Sequence, residues 1–171
     1  LPCAIDRETL IAIGPGEESD KVPMIRSVAL DMGSVEDAFA IKPEIERADN
    51  NWQNHIRGVA HYLQQRGVRL KPARLAIAGD IPIGAGLSSS ASLGVVSALA
   101  LSDHAGLPLE APDLALVAQK AENDYVGCAC GIMDQMASAA GAEKHAVLLD
   151  CRSMEHMPIP IADNLAIVVI D

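Results

Sequence analysis

The chain has 171 residues, half of them apolar, and a formal net charge of -10. That length suits one domain with a substantial core, and the acidic balance argues against nucleic acid and anionic membrane surfaces as partners. No apolar run approaches the ~18 residues that span a bilayer, and no charged, signal-like segment stands at the start. The aromatic residues are Phe39, Trp52, Tyr62 and Tyr125, so the core must come from Ala, Val, Leu, Ile and Met. Cys128 and Cys130 form a C-x-C pair, and with Cys3 and Cys151 they read as reduced thiols in a cytosol rather than as a disulfide or zinc set.

Residues 2–13 read as a strand carrying Ile5, Leu10, Ile11 and Ile13, and Gly14, Pro15 and Gly16 as the turn that closes it. Residues 21–27 are expected to be its antiparallel partner, and residues 38–41 a short third strand. The charged stretch 42–51 contains Pro43 and reads as surface. A helix is predicted from 51 to 65, with Ile56, Val59, Ala60 and Leu63 on one face and Gly67 as its stop. Residues 74–79 are apolar after Arg74 and form the next strand. Residues 88–104 follow as a helix apolar enough to be buried on most sides. Pro112 opens another helix, whose stripe holds Leu114, Val117, Ala118, Ala121 and Tyr125, with Glu122 at its edge. Residues 127–131 break the chain and 132–140 form a short helix closed by Gly141. Strands are expected at 145–150, 154–159 and 164–170. Strands and helices mix without a steady βαβ alternation, which favours an α+β fold.

Residues 80–94, D-I-P-I-G-A-G-L-S-S-S-A-S-L-G, join a strand to a helix. Gly84 and Gly86 permit backbone angles that a Cβ forbids and a close approach to a ligand. Ser88, Ser89 and Ser90 open the helix, where unpaired N–H groups and the macrodipole favour a phosphate, and a serine oxygen can face Mg²⁺. The spacing is neither Walker A, since the loop holds no Lys, nor G-x-G-x-x-G, since Ser89 stands at the third glycine position. Taken alone, such a junction reads equally as a capped, flexible turn.

Phosphoryl transfer needs a phosphate cradle, a metal on oxygen ligands and a group that orients or deprotonates the attacking hydroxyl. Mg²⁺ takes only one or two protein oxygens. Glu122 suits that role, and by itself reads also as a solvated helix residue paired with a cation. Asp134 lies in the first turn of its helix, where the dipole favours negative charge; by itself it is a favourable helix-start Asp. Asp150 ends an apolar strand and reads as structural.

The string P-x-G-x-G-L-S-S-S-A-S resembles the phosphate-binding motif of the GHMP kinases. Within them, residues 121–135 (A-E-N-D-Y-V-G-C-A-C-G-I-M-D-Q), 145–153, 1–6 and 52–59 are similar to the galactokinase subfamily. The likeness covers nearly the whole chain. It implies the GHMP-kinase N-terminal fold, a ribosomal-protein-like β-α-β arrangement with a mixed sheet packed against helices. It also implies ATP phosphates held by Gly84, Ala85, Gly86, Leu87, Ser88, Ser89 and Ser90, and Mg²⁺ ligated by Ser90 and Glu122. Asp134 would be the catalytic base at the C1 hydroxyl of galactose, and the Gly131 backbone would border the sugar. Trp52 stays open between lining an adenine pocket and packing at a helix start, and the five histidines gain no role.

Galactokinases carry a G-R-V-N-L-I-G-E-H-T-D-Y segment before the match that begins at Leu1, and a further C-terminal domain. The resemblance therefore implies that residues 1–171 are an ATP-binding N-terminal domain truncated at its start and lacking the C-terminal domain. Alone, this piece is expected to be inactive, and aggregation-prone or partly disordered. The implied function is Mg·ATP-dependent phosphorylation of α-D-galactose to galactose 1-phosphate in the cytoplasm. The alternatives are an N-acetylgalactosamine or other sugar 1-kinase, a non-catalytic sugar and ATP sensor, and a folded remnant. The intact S-S-S-A-S favours the enzyme over the sensor. The oligomeric state is left open.

Overall fold

The computed structural model describes residues 2–17, 19–49, 51–165 and 167–168. Four strands, β1 (Thr9–Pro15), β2 (Met24–Ala29), β3 (Val35–Ala40) and β4 (Ala73–Gly79), form one sheet in the order β1-β4-β2-β3. β4 runs antiparallel to β1 and parallel to β2, while β2 and β3 are antiparallel. The expected pairing of the first two strands is thus replaced: β4 enters between them. Its alternation explains why it can, because Ala73, Leu75 and Ile77 are buried under the helices while Arg74, Ala76 and Ala78 face the other way.

The strand expected from residue 2 starts later. Asp6 bends the chain, and Cys3 instead makes an isolated bridge to Ala146 of the hairpin β5 (His145–Leu149) and β6 (His156–Pro160). β1 then continues through Pro15 rather than turning at Gly14. Gly16 donates to the Pro72 carbonyl at 2.9 Å, and a Cβ there would meet Pro72 Cβ at 2.5 Å. Of the strand expected over 164–170, residues 164, 165, 167 and 168 are not in a strand, and 166, 169 and 170 lie outside the described residues.

Helices cover one face of the sheet. They are α1 (Asn51–Gln65), α2 (Ser89–Ala105), α3 (Ala111–Ala121) and α4 (Met133–Ala140). The predicted stop of α1 holds, with Gly67 at φ 87, and α2 ends at Gly106, φ 84. Ile56, Val59 and Leu63 of α1 meet Ile25, Phe39, Leu75 and Ile77 of the sheet and Val95, Ala98, Leu101 and Val117 of the next two helices in one core. Small residues set the spacing. A Cβ on Gly94 would stand 3.0 Å from Ala118 Cβ, and one on Gly58 would stand 2.9 Å from Ala121 Cβ and Tyr125 Cβ. The result is a mixed sheet packed against helices, the expected α+β class.

The stretch 42–51 is less of a surface than its charges suggest. Ile45 is buried, and its carbonyl accepts the Tyr125 hydroxyl at 2.8 Å. The Asn54 side chain closes on both the N–H and the carbonyl of Ala48. Arg57 makes a two-pronged pair with buried Asp37, at 2.6 and 3.0 Å, and lies over the Phe39 ring.

Candidate active site

β4 delivers the chain into the glycine loop. Asp80, at its end, accepts the Glu8 N–H at 2.8 Å and the Arg7 guanidinium at 2.9 Å, so the base of the loop is tied to the approach to β1. These donors, the backbone N–H first, hold the Asp80 carboxyl below its ordinary range. Asp31 accepts the N–H of Gly79 from the other side.

Above that anchor the backbone alternates. Gly84, Gly86 and Ser88 have φ of 81, 72 and 57, while Ala85 and Leu87 between them do not have positive φ. Such alternation turns successive N–H groups toward one concave side, the arrangement that binds anions. A Cβ on Gly84 or Gly86 would meet nothing within 4 Å, so it is the backbone angle that requires glycine there, and the space over the loop is open. Ser88 holds the left-handed conformation without that excuse, a strain that costs roughly 1–3 kcal/mol and concentrates at functional sites. It is the N-cap of α2 and its side chain makes no capping hydrogen bond, so the first-turn N–H groups remain available to a ligand.

Ser90, in that first turn, donates to Glu122 Oε1 at 2.7 Å. Glu122 follows α3 in a π-helical turn, Glu122–Val126, closed by the Gly127 N–H on the Glu122 carbonyl at 3.0 Å. Single π turns of this kind frequently mark functional sites. The side chain is buried at 6% exposure, not at a solvated edge. Gln135 Nε2 donates to its Oε2 at 2.8 Å. Among the described residues no ion pair reaches Glu122. A buried carboxylate held only by neutral donors calls for a cation. No cluster of three or more acidic, His or Cys side chains surrounds it among the described residues. That donor set fits Mg²⁺, which keeps most of its water, better than a soft metal.

Asp134 is half-buried in the first turn of α4. It lines a cavity of about 530 Å³ together with Gly86, Leu87, Ser88, Ser92 and Arg7. Arg7 is the one Arg or Lys on that lining among the described residues. The expected site residues therefore fall into two adjoining groups. The loop and Asp134 face the cavity, while Ser90 and Glu122 meet behind it, and Gln135 joins the two through its place beside Asp134. Gly84 and Ala85 sit further out on the loop, and Gly131 is exposed before α4. Trp52 is partly buried and packs on the core, as a helix-start aromatic does. Asp150 caps its own turn through the Arg152 N–H at 2.8 Å, as a structural residue. All four cysteines are free, and burial first of all pushes the Cys130 thiol up.

Three residues escaped the sequence reading. Gln135 is 1% exposed, yet a polar residue in a short helix gives no sign of that. His55, assigned no role, is buried; burial lowers its pKa, opposed by the nearby Glu122 charge. Arg7 lies outside any periodic pattern.

Comparison with known proteins bears on the same residues. The model of the GHMP kinases N terminal domain matches residues 54–142, which hold the glycine loop, Glu122 and Asp134. A galactokinase of Lactococcus lactis, solved in complex with galactose, superposes with a TM-score of 0.84 at 29% identity over 94% of this chain. A D-glycero-D-manno-heptose 1-phosphate kinase from Bacteroides thetaiotaomicron gives 0.69 at 20% over 90%. The mevalonate kinase of Methanococcus jannaschii gives 0.63 at 20% over 78%, and these two share the fold. The chain spans 41%, 48% and 41% of those three proteins respectively. The chain belongs to the GHMP kinases, through their N-terminal domain.

Proposed function

We propose that the chain is the ATP-binding domain of a galactokinase, transferring the γ-phosphoryl group of ATP to the C1 hydroxyl of α-D-galactose. The observation that carries this reading is the Ser90–Glu122 contact directly behind a glycine loop of alternating φ, with Asp134 on the cavity in front. The choice of sugar rests on the 29% identity to a galactokinase solved with galactose. The chain covers 41% of that protein, so the whole reaction is assigned to an enzyme carrying this domain within the relative's full length.

Phosphoryl transfer asks a protein mainly for position and charge. The N–H groups of Gly84 to Ser90 hold the phosphates, aided by the positive end of α2. Ser90 Oγ and Glu122 would hold Mg²⁺, which would neutralise charge on the phosphate oxygens. Ser90 must then turn its proton from Glu122 and offer a lone pair. Asp134 orients the sugar hydroxyl and takes its proton as the new bond to the γ-phosphorus forms, while the bond from that phosphorus to the bridging oxygen breaks and ADP leaves. The Gly131 backbone borders the sugar. The enzyme works in the cytoplasm, where ATP is supplied.

Calorimetric titration with Mg·ATP tests the nucleotide half on this chain. Binding is expected, with Glu122→Ala weakening its Mg²⁺-dependent part by about 1–3 kcal/mol and Asp134→Asn leaving it nearly unchanged. Assay of the longer enzyme with galactose, N-acetylgalactosamine and other hexoses tests the rest. Phosphorylation of another sugar in preference to galactose refutes the assignment of substrate, and absence of nucleotide binding refutes the site.

A further inference from the structure

We infer that Gln135 is a positioning residue, whose amide fixes the Glu122 carboxylate in the orientation that receives the divalent cation. The inference rests on the kinase-site reading above. Gln135 is 1% exposed, on the inward side of α4, one residue from Asp134. Its Nε2 donates to Glu122 Oε2 at 2.8 Å and lies 3.4 Å from Cys130 Sγ. Ser90 holds the other oxygen, Oε1, at 2.7 Å, so the carboxylate is clamped from two elements. Cys130 is itself fixed, with its N–H on Asn123 Oδ1 at 2.8 Å and its carbonyl taking Gln119 Nε2 at 3.2 Å.

The amide has one workable orientation. Turning it over would press Oε1 against a carboxylate oxygen. In the orientation it takes, Oε1 is buried and has no partner among the described residues. A buried unpaired acceptor costs stability, and an apolar side chain of the same shape would avoid that cost. What this glutamine supplies is the donor at its other end, on Glu122 Oε2. Ligands of metals are commonly oriented by hydrogen bonds from residues that never touch the metal, and loss of such a partner lowers metal affinity 10- to 100-fold. Gln135 has that geometry toward Glu122. Because Asp134 precedes it on the same helical turn, the contact also fixes the base relative to the cation. That link joins the two halves of the site.

The test is calorimetric titration of the chain with a non-hydrolysable ATP analogue, once in Mg²⁺ and once in EDTA, for the parent, Gln135→Met and Gln135→Asn. Methionine keeps the shape without the donor, and asparagine keeps an amide too short to reach Oε2. Both are expected to raise Kd in Mg²⁺ about tenfold while Kd in EDTA stays within twofold. Equal weakening in both conditions, an unchanged Mg²⁺ gain, or failure of both variants to fold would make Gln135 merely structural and overturn the inference. A parent that binds no nucleotide refutes the kinase-site reading and this inference with it. A parent with a clear Mg²⁺ gain that both variants retain refutes this inference alone.

Discussion

Replacing Gly58 by alanine sets two effects against each other, and the structure decides between them. Glycine in a helix interior is about 1 kcal/mol worse than alanine, so propensity alone predicts stabilisation. The added Cβ, however, would stand 2.9 Å from Ala121 Cβ, Tyr125 Cβ and Tyr125 Cγ. Ordinary carbon contacts lie near 3.5–4.0 Å, so α1 and the segment bearing Ala121 and Tyr125 must separate by roughly 0.6–1 Å. None of the three atoms is the free end of a flexible side chain, and the Tyr125 hydroxyl is held by the Ile45 carbonyl. Overpacking of this kind costs about 1–3 kcal/mol. Three simultaneous contacts place the cost toward the upper end, leaving a net loss of about 1–2 kcal/mol. For a chain of this size that lowers Tm by roughly 2–8 °C. Gly14→Ala is the control, since a Cβ there meets nothing within 4 Å, and it is expected to leave Tm unchanged or slightly raised. Thermal melts followed by circular dichroism, with urea titrations at matched m-values, read both variants. A Gly58→Ala protein as stable as the parent would refute the packing argument. The same shift acts on the residues on either side of Glu122, so the Mg²⁺-dependent part of nucleotide binding should weaken together with Tm.

Asp37→Ala should cost about 3–5 kcal/mol, because it leaves the Arg57 guanidinium, 14% exposed, without its carboxylate; urea unfolding checks this, and a loss below 1 kcal/mol would mean that water has taken Asp37's place. Ser90→Ala should lower nucleotide affinity in Mg²⁺ but not in EDTA, read by the same calorimetry. His55 has its pKa lowered by burial despite the opposing Glu122 charge, so the unfolded chain takes up a proton on it first. Stability is then full above the ordinary histidine value of about 6.5 and falls as pH drops below it toward the folded value. Urea midpoints from pH 7.5 to 5 should show that decline, and His55→Gln should flatten it. Asp134→Asn in the longer enzyme should reduce kcat by at least 10²-fold while KM for ATP changes little, as loss of a proton acceptor requires.

The glycine loop and the start of α4 were legible because their chemistry is local: consecutive residues supply the loop angles, the serines and the helix-start Asp134. The end of α1 was legible for the same reason, through Gly67. Strand pairing was not. Nothing in residues 9–15 or 24–29 announces that β4, far along the chain, will lie between them. The π turn gave no local signal, and its Tyr125 hydroxyl is held by Ile45, which sits in a stretch whose charges suggest surface. Glu122 could be placed at the edge of a stripe from helical spacing, but its burial under α2 and α4 is a tertiary fact. Gln135 was invisible since its partner, Glu122, is brought to it only by the break at 127–131.

The place of β4 between β1 and β2 also governs the order of assembly. A hairpin between neighbouring segments closes quickly, as β2 and β3 can, since only the short connection 30–34 joins them. β4 must wait until the chain has crossed α1, and its two ladders join residues separated by roughly 50–70 positions in the sequence. Closure over such distances is slow. The glycine loop hangs from the end of this last-seated strand, and Asp80 takes its tie to Glu8 only when β1 is alongside. Nucleotide therefore meets a competent loop only in chains whose sheet is complete, and on refolding the recovery of nucleotide binding should follow the slowest phase rather than the appearance of helix.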